Sequence, residues 1–461
     1  MSDQRTAAVQ YAHQSRGRFL KELEEFVSIP SVSTDPERKT DLRRAAEWTA
    51  ARLRGLNFRE VQIFETAGHP VVYAENLSAG KDAPTVLIYG HYDVQPADPL
   101  ELWQSGPFEP DMRGDYLYAR GASDMKGQVV ATLTALEAVQ SAGTLPLNIK
   151  FLIEGEEEIG SPNLDAFIRS HTDRLACDFA LNPDSGMLAP DLPTITYALR
   201  GLAYFELRIT GPDHDLHSGL FGGAVHNPAQ VLCELIAGMH DAQGLITLPG
   251  FYDRVRLLDA EERAELARIP IGDDFYLRDT GVPALYGEAG FTTVERLGAR
   301  PSLEVNGMLS GFTGEGTKTV LPSRAMAKIS CRLVADQDPD EVHRQFVQYV
   351  RENAPPTVKW EVIKMAGGPA SISDIHSPWV IAMQAALESV WGKQPIYRRE
   401  GGSVPVVAQF QSILGVESVN VGFSLPGDNL HSPNEKLHLP TWYNGIDALI
   451  HFYLNLGEKG E

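Results

Sequence analysis

Three short apolar runs, each ending on a burst of acidic or imidazole side chains, constrain this chain more than anything else in it. They are TVLIYG (85–90), followed by His91 and Asp93; LNIKFLIEG (147–155), followed by three glutamates; and CDFALN (177–182), followed by Asp184. The first is β-rich and apolar, as expected of a strand buried on both faces, and the other two read as further strands. The segment MKGQVVATLTALEAVQSAG (125–143) between the first two has helical spacing and closes on glycine. Strand, helix and strand in alternation predict a largely parallel sheet with helices on both sides. In such sheets the carboxyl ends of the strands carry the chemistry.

The flanking sequence extends this pattern. Residues 5–27 and 41–56 read as amphipathic helices. Near residue 195 the rhythm changes. AYFELRIT (203–210), SLEVNGMLSGF (302–312), RAMAKISCRLV (324–334) and TVKWEVIKM (357–365) read as strands, with helices at 227–241 and 339–353. The order β-α-β-β-α-β is the split βαβ arrangement. A Pro- and Gly-punctuated insertion at 242–301, containing the short helix AEERAELARI, interrupts it. MAGGPAS (365–371) then reads as a linker, and the helix at 377–392, strand at 418–424 and helix at 440–457 return to the first domain. The expected fold class is α/β: a discontinuous, mostly parallel-sheet catalytic domain (1–195 and 371–461) with an inserted ferredoxin-like domain (196–370).

A chain of 461 residues with 43% hydrophobic and 22% charged residues can build more than one core. Its formal charge of −21 repels phosphate backbones and anionic surfaces, so neither nucleic acid nor membrane is an expected partner. No run of 18 apolar residues and no signal-like apolar core occurs. Cys177, Cys233 and Cys331 lie far apart among apolar neighbours and read as buried free thiols of a reducing compartment. A cytoplasmic enzyme is the expectation.

The strand ends carry the candidate chemistry. His91 and Asp93 are two residues apart in extended chain and can face one cleft. A metal-bound histidine gives its other ring N–H to a carboxylate, a role open to Asp93. Asp124, at a strand-to-helix junction, reads either as a helix N-cap or as a carboxylate shared by two cations. In the run Glu156, Glu157, Glu158, neighbouring glutamates can divide labour, one binding metal and one taking a proton from water. Asp184 reads as a further ligand or a turn residue after Pro183. In LPGDNLHSPNEKLHLP, His431 is the candidate ligand and His438 its competitor. Two His, two Asp and one Glu make mixed N/O sites suited to Zn²⁺, with Mn²⁺ or Co²⁺ the alternatives.

With GHYDVQP, RGASDMKG, EGEEEIGS, DLHSGLFGG, TKTVLP, ISCRLV, REGGSVPV and NLHSPNEK in this order, the chain resembles the co-catalytic zinc exopeptidase and amidohydrolase family, nearest its dipeptidase branch. The resemblance implies two metal ions per subunit: His91 and Asp184 on one, Glu158 and His431 on the other, Asp124 bridging. It also implies that Asp93 orients His91, that Glu157 is the general base and acid, and that the peptide between Asp124 and Met125 is cis. The inserted domain would be a lid and a homodimer surface. His217 would reach a neighbouring subunit's site and stabilise the oxyanion. Arg332 and Ser403, with Thr319 near, would hold the terminal carboxylate of a small peptide substrate. The expected function is hydrolysis of dipeptides or short peptides. Deacylation of N-acyl amino acids at the same centre is the alternative, and a non-catalytic binding protein on this fold is the reading from another class.

Overall fold

The computed structural model describes residues 2–402 and 404–457, so Ser403 lies outside the described residues. The chain divides into two compact units. The first comprises the residues up to Tyr197, Ser373–Tyr397 and those from Pro405 on; the second comprises Ala198–Ile372 and Arg398–Val404.

The first unit is built on a sheet whose strands include β1 (Glu60–Phe64), β2 (Val71–Asn76), β3 (Thr85–His91), β4 (Asn148–Glu154), β5 (Phe179–Asn182), β6 (Thr194–Leu199) and, from the return of the chain, β11 (Ser418–Asn420), with the short strands Ser371–Ile372 and Ile396–Glu400 beyond β6. Their spatial order is β1-β2-β4-β3-β5-β11-β6. The centre, from β4 through β3 and β5 to β11, is parallel. β1 and β2 flank it antiparallel. Every residue of β4 and β5 is buried, including the polar Asn148, Lys150 and Glu154 of β4. The mixed α/β class with a mostly parallel central sheet is therefore the one expected.

Helices α4 (Lys126–Ala142) and α8 (Leu439–Asn455) pack on each other, with α1 (Ser2–Gln14) and α7 (Pro378–Trp391) alongside. Both α4 and α8 are buried nearly all round, so their apolar residues form no narrow stripe. Ile446, Leu449 and Phe452 are fully or almost fully buried, each contributing about 1.5–3 kcal/mol over an exposed position. Close approach at the start of α4 requires Gly127, where a Cβ would sit 2.1 Å from the Ala122 carbonyl oxygen.

Some elements differ from expectation. The helix expected over 5–27 is two, α1 and α2 (Arg16–Val27), because Ser15 leaves helical geometry at φ −98°, ψ 3°. β1 and β2 were not anticipated: β1 lies at the sheet edge and is only half buried, so its sequence has no apolar run. The strand expected over 418–424 stops at Asn420.

In the second unit β7 (Gly201–Thr210), β8 (Ser302–Ser310), β9 (Arg324–Leu333) and β10 (Lys359–Gly368) form an antiparallel sheet in the order β8-β9-β7-β10. β10 continues through most of the presumed linker, passing a bulge at Lys364–Ala366. Helices α5 (Pro228–Ala237) and α6 (Pro339–Asn353) cover one face, burying Phe205, Leu207, Ile329 and Phe346. Cys233 corrects the expectation of buried thiols. On α5 the buried positions are 228, 231, 232 and 235, which leaves 233 facing outward and exposed. The insertion holds short helices at Ala260–Leu266, Asp273–Thr280 and Thr293–Gly298, the last opened by a Thr292–Glu295 capping box. Among the described residues no helix is long and apolar enough to cross a membrane.

Candidate metal centre

β3 delivers His91 as its last residue, fully buried. The His91 Nδ1 lies 3.0 Å from the Asp93 carbonyl oxygen and 3.4 Å from its Oδ1, which fixes the ring. The Asp93 carboxylate also accepts the main-chain N–H groups of Glu157 (3.3 Å) and Glu158 (3.1 Å). One buried carboxylate thus aligns the end of β3 with the turn after β4.

That turn resolves the three glutamates. Glu156 is buried and faces away from the cluster: its Oε1 accepts the His69 N–H at 2.9 Å, and Asn163 Nδ2 contacts both oxygens at 3.0 Å. Glu157 and Glu158 face the cluster. Ligand atoms of His91, Asp124 and Glu158 lie within 4.8 Å of one another, as do those of His91, Glu157 and Asp184. Gln95 Nε2 donates to Glu158 Oε2 at 2.8 Å and so orients it.

Asp124 does not cap α4; Met125 occupies that position, and the Asp124–Met125 peptide is cis. The Asp124 side chain turns inward instead, with Oδ2 2.9 Å from His431 Nε2 and Oδ1 3.3 Å from His91 Nε2. Asp184, just past β5, lies 3.9 Å from the same His91 nitrogen. His431 is also 3.3 Å from Glu158 Oε2 and adopts the left-handed backbone, φ 58°. His438 stands apart, bonded to Thr441 Oγ1 at 2.8 Å, whereas His431 joins the cluster.

Four carboxylates, Asp124, Glu157, Glu158 and Asp184, converge on two histidines. Burial, and then the charge of Asp124, pushes Glu158 and Asp184 up to about 8. Burial also raises Glu157. His431 rises to about 9, chiefly through its bond to Asp124. Burial opposes protonation of His91, yet Asp124 and Asp93 outweigh it and hold its pKa well up. Among the described residues His91 Nε2 is buried without a well-formed hydrogen bond, with Asp124 Oδ1 3.3 Å away. An orphaned imidazole nitrogen amid crowded carboxylates fits divalent cations, whose charge relieves both defects.

Glu435 is the residue sequence reasoning missed as an actor. It is fully buried and accepts Arg120 Nη1 and the Gly121 N–H on Oε2, and the Ser123 and Asp124 N–H groups on Oε1, all at 2.9–3.0 Å. The carboxylate clamps the loop carrying Asp124 to the loop carrying His431. The strand Lys436–His438, paired with Tyr116–Tyr118, holds it there. Its only sequence signal was its place in NLHSPNEK.

In the second unit His217 and Thr319 sit together on an exposed ribbon: His217 pairs with Val320, and Thr319 O accepts the Ser218 N–H at 3.0 Å. Arg332 lies on β9, paired with Leu202 and Ser302.

Residues 87–455 match peptidase family M20/M25/M40. The chain belongs to that family. The M20 assignment extends across nearly its whole length in individual comparisons. It is 32% identical over 460 residues to a Cys-Gly metallodipeptidase of Candida albicans, covering 95% of this chain and 94% of the relative. Against the Beta-Ala-His dipeptidase of Homo sapiens it is 30% identical over 466 residues, covering 97% and 92%. The structure of an M20 family metallo-carboxypeptidase from Sulfolobus solfataricus superposes with a TM-score of 0.83 at 32% identity, covering 95% of this chain and 99% of that one.

Proposed function

We propose that this M20 peptidase hydrolyses dipeptides or short peptides with a pair of divalent cations, zinc being the expected metal and manganese or cobalt the alternatives. The observation that carries the reading is the convergence of Asp124, Glu157, Glu158 and Asp184 around the orphaned His91 nitrogen, with His431 against Asp124 and Glu158. His91 and Asp184 would hold one ion, Glu158 and His431 the other, and Asp124 both. Such ions supply Lewis acidity toward the scissile carbonyl and lower the pKa of bound water.

The chain's own residues do the rest. Glu157, buried and raised in pKa, takes the proton of the attacking water and returns it to the leaving amine. Asp93 holds both His91 and the glutamate turn in register. His217 donates to the developing oxyanion. Arg332, with Ser403 and Thr319, binds the substrate's terminal carboxylate, for which a guanidinium fork is suited. The second unit would act as the ferredoxin-like lid, in a cytoplasmic homodimer. Its edge strand β8 leaves Val305, Met308 and Leu309 38%, 50% and 61% exposed, an apolar edge that a second copy would cover.

Metal analysis with a dipeptide panel, with and without chelator, tests this. Two equivalents of metal and chelator-sensitive cleavage are expected; metal-independent turnover, or cleavage of acetyl-amino acids alone, refutes it. Sedimentation of the same preparation as a monomer removes the dimer.

A further inference from the structure

Glu154 is the last residue of β4 and is buried, yet among the described residues it belongs to neither group that could hold a metal ion. Its Oε1 accepts two hydroxyls instead, those of Tyr89 on β3 and of Ser161 beyond the glutamate turn, each at 2.8 Å. The Tyr89 bond fixes the carboxylate within the sheet, and the Ser161 bond reaches from it to the turn.

What Ser161 closes is the segment that carries Glu157. The Ser161 N–H donates to Glu156 O at 2.8 Å, the Ile159 N–H to the same oxygen at 3.2 Å, and the Gly160 N–H to Glu157 O at 2.8 Å. Glu157–Ile159 is a single turn of 3₁₀ helix, too short to hold its shape unaided. Asp93 holds its first two amides. Ser161 holds the far end. Without that second hold the turn can pivot about the first, and the Glu157 side chain with it.

The backbone at the far end points the same way. Gly160 and Ser161 are both left-handed, at φ 84° and φ 50°. That conformation favours glycine, which is what position 160 carries. Position 161 carries a buried serine, whose Cβ makes the same backbone costly. What the serine side chain adds over glycine is the bond to Glu154.

We propose that Glu154 and Ser161 are positioning residues for peptide hydrolysis: through their hydrogen bond the buried sheet sets the orientation of Glu157 toward the attacking water. The inference rests on the reading of Glu157 as the general base. Both residues act through Glu157, so their effect belongs to turnover and not to substrate binding or metal retention.

The test uses Ser161→Ala, Ser161→Gly, Glu154→Leu and the conservative Glu154→Gln, assayed on a dipeptide with the metal-loaded enzyme. Both Ser161 variants should lower kcat by about tenfold and Glu154→Leu by up to about 10²-fold, the scale on which a small misplacement acts. KM and metal content should stay within about twofold of wild type. Glycine relieves the left-handed backbone and alanine does not, so equal losses trace to the hydroxyl. Glu154→Gln keeps an oxygen that accepts both hydroxyls and should recover most of what Glu154→Leu loses. In chelator, hydrogen exchange at the Gly160 and Ser161 amides should quicken in both Ser161 variants. Pairing with Glu157→Gln separates positioning from general damage. In that background Ser161→Ala should cost no further activity, because the group it aims is gone. Equal fold losses in the two backgrounds, a loss confined to one Ser161 variant, or unchanged exchange at both amides overturns the proposal and leaves the reading of Glu157 standing. If Glu157→Gln itself turns over at the wild-type rate, the base reading fails and takes the inference with it.

Discussion

Glu435→Gln should loosen the loop that presents Asp124, and the size of the effect follows from the hydrogen bonds described. The wild-type carboxylate accepts four donors, two on each oxygen. A glutamine keeps the shape but turns one oxygen into an NH₂ group, so two donors face a donor. Arg120, 1% exposed, also loses its counter-charge. Breaking one partner of a buried pair costs about 3–5 kcal/mol, and a net bond to a charged group about 1.5–3 kcal/mol, the two not being additive. A local loss of about 3 kcal/mol corresponds to roughly a hundredfold faster opening of that loop. Hydrogen exchange in chelator, read at the amides of Gly121, Ser123 and Asp124, isolates this from metal binding. The variant should also bind metal more weakly in a competition titration. Exchange at those amides within threefold of wild type, together with unchanged metal affinity, would falsify the clamp.

Two further predictions concern the centre itself. Glu157→Gln should lower kcat by about 10²–10⁴-fold with metal content intact, whereas Glu156→Gln should keep turnover within a few-fold and cost stability instead; a Glu156 variant without activity reverses the assignment. In chelator, melting temperature should fall as pH rises from 6 to 9. Glu158 and Asp184 titrate near 8 in the folded chain against about 4 unfolded, and His431 near 9 against about 6.5, so the folded state binds more protons. Their contribution is complete below the unfolded values and lost as pH climbs through the folded ones. Bound metal replaces those protons, so the loaded enzyme should show a flatter profile; parallel profiles would refute the account.

The proposed ligands were legible because their strands are buried on both faces, and such strands announce themselves as short β-rich runs with the candidate residue at the end. Asp124, His431 and Asp184 needed the motif order as well, since each alone is a plausible cap or turn residue. The run Glu156–Glu158 stayed degenerate in sequence, because what removes Glu156 from the centre is His69, 87 positions away, together with Asn163. Glu435 was hidden for the same reason: its partners lie more than 310 positions upstream. β1 escaped because an edge strand has no need of a continuous apolar sequence.

The discontinuity of the first unit has a consequence for biosynthesis. His91, Asp124, Glu158 and Asp184 all leave the ribosome before the second unit begins, but His431 follows only after that unit has been made. Glu435, which sets the Asp124 loop, emerges later still. Until His431 and Glu435 are translated, the nascent chain carries an incomplete candidate ligand set with its clamp missing. The order of synthesis thus withholds a complete candidate centre from the surroundings of a growing polypeptide until the second unit has been made.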